Sequence, residues 1–195
     1  MRTLQFAIAV LAASLALSAC KEGPDASPAK GSVAATPVST AAIEADARGF
    51  TVGSPMSART VYVFFDPQCP HCAALWKSAK PLKAQAKFIW IPVALLNKTS
   101  EAQGAALLAA KDPVALMDEH EASISAKGGG ISAMGAPDPE RATVVKNTAL
   151  MNRFGFASVP SIVAMHAQTG ALVTREGGLP TPELAALLGL QVPAQ

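Results

Sequence analysis

FFDPQCPHC, residues 64–72, sets two cysteines two residues apart where an apolar run gives way to a helical pattern. Upstream, TVYVFF at 60–65 is β-branched and aromatic almost throughout, the pattern of a strand buried on both faces. Asp66 and Pro67 end it. Downstream, Ala73, Leu75, Trp76, Ala79 and Leu82 recur at helical spacing, and Pro81 predicts a break there. FIWIPVAL at 88–95 reads as the next strand, with Pro92 placing its distal half at an edge or a bulge. Strand, helix and strand in this order predict a βαβ unit with parallel strands, and the cysteines fall at its strand-to-helix junction.

That position has a chemical consequence. A helix N-terminus offers unpaired N–H groups and a partial positive charge, and both favour the thiolate over the thiol at the first cysteine. Cys69 is therefore the expected nucleophile, and Cys72, one turn further in, the resolving partner. His71, with Pro70 in the same two-residue insert, is expected to tune the Cys69 pKa downward. Other uses of the pair fit less well. Haem attachment of the c type needs a histidine directly after the second cysteine, where Ala73 stands. A structural zinc site needs four ligands, and besides His71 only His120 and His166 remain, at no recognisable spacing. An inert disulfide closing so small a ring would restrict the unfolded chain only slightly.

Around this unit, residues 99–154 read as three helices. SEAQGAALLAAK is the first, DPVALMDEHEASISAK the second with Asp112 as N-cap and Pro113 at its first position, and PDPERATVVKNTALMNRFG the third. SIVAMHA at 161–167 and ALVTREG at 171–177 flank a QTG turn and predict an antiparallel hairpin, and TPELAALLGL a closing helix capped by Thr181. Trp76 and Trp90 follow the helix and strand periods and read as core rather than as a cofactor platform. DEHE at 118–121 reads as a solvated helix face.

The chain has 195 residues, 50% hydrophobic and 15% charged, which predicts one globular domain plus unstructured length. Its formal charge of +2, with no clustered basic run, argues against nucleic acid as a partner. The first twenty residues carry Arg2 and an apolar run too short to span a bilayer, a secretory signal over 1–19. LSAC at 17–20 resembles the lipobox of bacterial lipoproteins, which implies lipid attachment at Cys20; cleavage by ordinary signal peptidase, with Cys20 incidental, is the alternative. Residues 20–48 are expected to form the lipidated N-terminus and a flexible tether, whose stretch from Lys21 to about Ala42, rich in Ala, Ser, Thr, Pro and Gly, would span on the order of 25 Å. Order is expected to begin near Gly49, in a domain covering 49–195.

VYVFFDPQCPHCAALW, FIWIPVALL, AALLAAKDPVALMDEHEAS, FGFASVPSIV and the late GGLP, in this order, resemble the thioredoxin superfamily, and more narrowly the catalytic domain of the DsbC/DsbG group, on its DsbG side. The resemblance implies an α/β thioredoxin-like fold: a mixed central sheet flanked by helices, with a helical insertion at about 99–154. It also implies a cis-proline loop facing the cysteines, with Pro160 cis and the backbone at Ser158 and Val159 beside the sulfurs for an incoming chain. Three departures stand out. The segment between Cys20 and Gly49 is too short and polar for the group's N-terminal dimerisation domain, which implies a monomer and puts isomerase activity in doubt. His71, and Val159 before the proline, are choices resembling the oxidase DsbA. Val63 stands where thioredoxin has a buried acid, which leaves Cys72 without a named proton acceptor.

These readings converge on a periplasmic thiol:disulfide oxidoreductase that needs no cofactor or metal and is lipid-anchored, with the outer membrane favoured. It would exchange disulfides with secreted proteins and be recharged by a membrane partner of the DsbB or DsbD kind. The oxidising direction is favoured. A reductase, sulfenic-acid reductase or isomerase of DsbG type, and a non-enzymatic metal- or chaperone-type thiol binder, are the alternatives.

Overall fold

The computed structural model describes residues 35–193. The expected signal segment, Cys20 and the first part of the expected tether lie outside the described residues.

Five strands form one mixed sheet. They are β1 (Phe50–Gly53), β2 (Thr60–Phe65), β3 (Lys87–Pro92), β4 (Ser161–Met165) and β5 (Leu172–Glu176), in the spatial order β1-β3-β2-β4-β5. β2 and β3 run parallel, with Val63 opposite Trp90, while the other neighbours are antiparallel. The central strand is the one whose residues are apolar on both faces: from Val61 to Phe65 every side chain of β2 is buried. Pro92 lies past the last pair between β3 and β1, Phe50 with Trp90, so its missing N–H interrupts no ladder on that side.

The crossover between β2 and β3 is α2 (Pro70–Ala79) followed by one 3-10 turn, Lys80–Leu82. Pro81 has no N–H for the α-helical bond, which is why the helix tightens and stops there. Edge-to-face aromatic contacts hold α2 to the sheet. Trp76 and Trp90 meet at 4.9 Å between centroids and 77°, and Phe65 packs on Trp90 at 5.5 Å. Such pairs contribute about 0.5–1.5 kcal/mol each beyond their area, so the two tryptophans belong to the core.

Between β3 and β4 lies the helical insertion: α3 (Lys98–Ala109), α4 (Pro113–Ser125) and α5 (Asp138–Arg153). Asn147 of α5 is buried and satisfied, donating from Nδ2 to the carbonyls of Arg48 at 2.8 Å and Pro92 at 3.0 Å and accepting from the Arg48 N–H at 3.0 Å. Trp76 donates its indole N–H to Asp118 at 2.6 Å, which ties α4 to α2.

Three sequence expectations are corrected. Order begins ahead of Gly49, because α1 (Thr40–Asp46) starts with Ser39 capping the Ala42 N–H and buries Ile43 in the core. Tertiary packing rather than helix propensity holds so short a helix. Thr181 is the first residue of α6 (Thr181–Leu188) rather than its cap, its hydroxyl being spent on the Ser78 carbonyl at 2.9 Å. The DEHE segment is not a solvated face: His120 and Glu121 are buried, while Asp118 pairs with Lys80 at 2.5 Å.

Candidate active site

Cys69 occupies the N-cap position of α2 and Pro70 its first turn, where the absent proline N–H would have had no helical partner in any case. The backbone closes around the first cysteine: its N–H donates to Asp66, and its carbonyl accepts from the N–H groups of Cys72 at 3.0 Å and Ala73 at 3.2 Å. Both cysteines are buried, and as thiols they differ sharply in acidity. Cys69 is lowered to about 6, first by a hydrogen bond from the Cys72 thiol; burial opposes this, and the N–H groups of Cys72 and His71 and the His71 ring add to it. Cys72 is pushed well above the ordinary thiol range, first by burial and then by the Cys69 sulfur beside it. One sulfur is held ready as thiolate and the other holds a proton.

The second wall is the loop before β4. The Val159–Pro160 bond is cis, and the Val159 carbonyl faces the Cys69 sulfur at 3.6 Å. Glu176 of β5 grips this loop, accepting from the N–H groups of Ala157 at 3.0 Å and Ser158 at 2.8 Å and from the Ser158 hydroxyl at 2.8 Å. Burial pulls the Glu176 carboxyl up, but these three donors outweigh it and hold the group below its ordinary range. The Ser158 carbonyl is also taken, by the Ser161 hydroxyl at 2.6 Å. The GGLP segment forms the third side, where a Cβ on Gly178 would come within 3.2 Å of the His71 carbonyl oxygen. Pro70 and His71 are exposed at this mouth.

Beneath the cysteines the helical insertion grips the 66–68 loop. The Asp66 carboxylate is buried and filled by four donors: the N–H groups of Gln68, Leu95 and Leu96 and the Ser100 hydroxyl, at 2.6–2.8 Å. His120 accepts from the Ile131 N–H at Nδ1 and so carries its proton on Nε2, which donates to the Pro67 carbonyl at 2.7 Å. Burial lowers its pKa, against the pull of that carbonyl and of Asp66, and keeps the ring neutral. Gln103 donates to the carbonyls of Gly129 and Ile131, both at 2.8 Å, and accepts from Gln68.

Sequence reasoning missed Ser100, Gln103, His120 and Glu121. A signal for the last was present, since Met117 and Glu121 share one helix face at a spacing of four and Met117 is core. Glu121 is raised to about 8, first by burial and then by the nearby Cys69, with Lys77 opposing. Among the described residues no three His, Cys, Asp or Glu side chains gather as a metal-holding group.

A family model described as a thioredoxin-like domain matches residues 54–191. The chain belongs to the thioredoxin-like family. The thiol:disulfide interchange protein DsbG of Pseudomonas aeruginosa is 34% identical over 136 residues, covering 67% of this chain and 51% of the relative. DsbG of Escherichia coli is 33% identical over 111 residues, covering 54% of this chain and 43% of the relative. The chain thus spans about half the length of these curated relatives. Among solved structures, the catalytic domain of Proteus mirabilis ScsC superposes with a TM-score of 0.61 at 20% identity, over 76% of this chain and 91% of that one. Pseudomonas aeruginosa DsbA2 does so with a TM-score of 0.58 at 17% identity, over 73% and 93%. At such identities the structural matches speak for the thioredoxin-like fold. No helix among the described residues is long and apolar enough to cross a membrane.

Proposed function

We propose that this thioredoxin-like protein exchanges disulfides with protein substrates through Cys69 and Cys72. The observation that carries the reading is the divided acidity of the two thiols: Cys69 is lowered to about 6 at the mouth of α2, facing the Val159 carbonyl, while Cys72 is buried and raised. In the oxidising direction a substrate thiolate attacks Cys69 in the Cys69–Cys72 disulfide, and Cys72 leaves with the electron pair. A second substrate thiolate then attacks the substrate sulfur and expels Cys69. The substrate loses two electrons and gains a disulfide; the cysteine pair gains the two electrons. The reducing direction is the reverse, with Cys69 attacking and Cys72 resolving.

Oxidation is the favoured direction, because a stabilised Cys69 thiolate makes the dithiol form the more stable one and its disulfide the stronger oxidant. The 33–34% identity to DsbG supports a second reading in which the pair is kept reduced and acts on disulfides or sulfenic acids. The proposal extends to a monomer working in the periplasm, tethered through Cys20 and recharged by a membrane redox partner. Equilibration with glutathione separates the directions. A potential well above that of thioredoxin supports the oxidase, one near thioredoxin supports the reductase, and a Cys69→Ser variant that exchanges disulfides as fast as the parent overturns both.

A further inference from the structure

Glu176 carries more than the proline loop requires of it. All three donors of that loop, the Ala157 and Ser158 N–H groups and the Ser158 hydroxyl, reach one carboxylate oxygen, Oε2. Among the described residues nothing donates to Oε1, and no lysine, arginine or histidine pairs with the group. A neutral glutamine oxygen would accept the same bonds at somewhat lower strength, so holding the loop does not account for the charge or for the open oxygen. The residue is exposed, as are Ala157 and Ser158, which leaves the carboxylate at the surface.

Its place relative to the reacting atom is fixed. Glu176 lies opposite Ser161 in the β4–β5 ladder, directly after the cis proline, and its Oε2 stands 2.8 Å from the Ser158 nitrogen. The Val159 carbonyl faces the Cys69 sulfur at 3.6 Å, and the two residues of backbone between these contacts reach at most about 7 Å. The carboxylate therefore lies no more than about 13 Å from that sulfur. In an extended substrate chain, which rises about 3.3 Å per residue, a lysine or arginine two or three residues from the reacting cysteine covers this distance with its side chain. Competing charge at the mouth is sparse. The 69–71 segment brings the His71 ring beside the reacting thiol, and the 177–180 turn brings no ionisable side chain. Arg175, next along β5, alternates to the opposite face of the sheet.

Resting on the exchange reaction proposed above, we propose that Glu176 is a specificity-determining residue, its free carboxylate oxygen receiving a lysine or arginine two or three positions from the reacting cysteine of the substrate. The protein thereby favours cysteines in basic sequence over cysteines in acidic sequence. A charge pair at an exposed rim acts mainly on encounter and is screened by salt. Exposed pairs are individually weak, which sets the preference at about two- to fivefold.

The test uses reduced protein and an excess of the symmetric disulfide of a short peptide with one cysteine and, two or three residues to either side, lysine or glutamate. Cys69 attacks, Cys72 resolves, the cysteine pair gives up two electrons, and two peptide thiols are released, which chromatography follows in time. Each rate is divided by that of the same peptide disulfide with dithiothreitol, which removes the peptide's own effect on sulfur reactivity. The parent is expected to favour the lysine peptide, and Glu176→Gln to cut the lysine-to-glutamate ratio by about two- to fivefold at low salt. In the parent the ratio falls toward that of the variant in 1 M salt, where the screening length is about 3 Å. A ratio unchanged by Glu176→Gln overturns the proposal, even where both peptides slow together, since that marks a loop-holding role alone. Should the variant not fold, the parent decides: a ratio indifferent to salt overturns the proposal. A parent that reduces neither peptide disulfide faster than free cysteine does overturns the exchange reading itself, and this assignment with it.

Discussion

The Cys69 sulfur stands 3.6 Å from the Val159 carbonyl oxygen, so the mouth of α2 and the loop before β4, ninety residues apart in sequence, meet at the atom proposed to react. Neither segment holds that position alone. Glu176 fixes the loop from β5, and His120, Gln103 and Ser100 fix the 66–68 turn from the helical insertion.

Removing the Cys72 thiol should act on its neighbour. The hydrogen bond from Cys72 is the largest influence lowering Cys69, so in Cys72→Ala the pH midpoint of Cys69 alkylation by iodoacetamide moves upward toward the ordinary thiol value. The same variant accumulates mixed disulfides with disulfide-bearing substrate proteins, visible on non-reducing gels, because Cys72 is no longer there to resolve them.

The Glu176 support of the proline loop should be acid-sensitive. Its carboxyl is held below its ordinary range, so the stability it lends is present above the unfolded carboxylate pKa and is lost as pH falls through the lower folded value. Glu176→Gln should cost about 1 kcal/mol, less than the roughly 1.5–3 kcal/mol of buried hydrogen bonds to a charged group, because the site is exposed. Urea unfolding above and below that window checks this: the variant's deficit should shrink at low pH.

Gly130 has φ +87, and a Cβ there would fall 2.4 Å from the His120 ring and 2.8 Å from the Gln103 amide. Gly130→Ala is therefore expected to lose roughly 1–3 kcal/mol and to slow exchange at Cys69, since the displaced His120 releases the Pro67 carbonyl. Denaturation midpoints together with the alkylation rate of Cys69 test both effects.

Two groups at the site give the dithiol form opposite pH trends. Cys69 titrates at about 6 when folded and near 9.0 when unfolded, so the unfolded chain holds more protons across that window. Stability rises through it, is fully present above it, and is lost as pH falls through about 6. Glu121, raised from 4.5 to about 8, does the reverse, and the stability it supports is lost as pH rises through that range. The difference in unfolding free energy between Glu121→Gln and the parent should accordingly grow in the variant's favour from acid to mildly alkaline pH, whatever constant cost the buried amide adds.

Much of the frame was legible because local pattern and tertiary role agree. TVYVFF is central because it is apolar on both faces, and Cys69 caps α2 because Pro67 and Pro70 bracket the turn. The places where sequence reading failed are those where a polar residue is buried by elements distant in the chain. His120 and Glu121 sit in a charged tetrad that looks solvated, and only the approach of α2 and of the 66–68 loop removes them from water. Ile43 was too isolated among small residues to announce α1, and Thr181 has the residue type of a cap while its hydroxyl bonds to α2.

The central claim rests on the charge state of one sulfur. Thiolate ultraviolet absorbance of the reduced protein, titrated beside Cys69→Ser to isolate that sulfur, should give a midpoint of about 6, with Cys72 still protonated across that range. A Cys69 midpoint near the unperturbed thiol value of 9.0 would contradict the account.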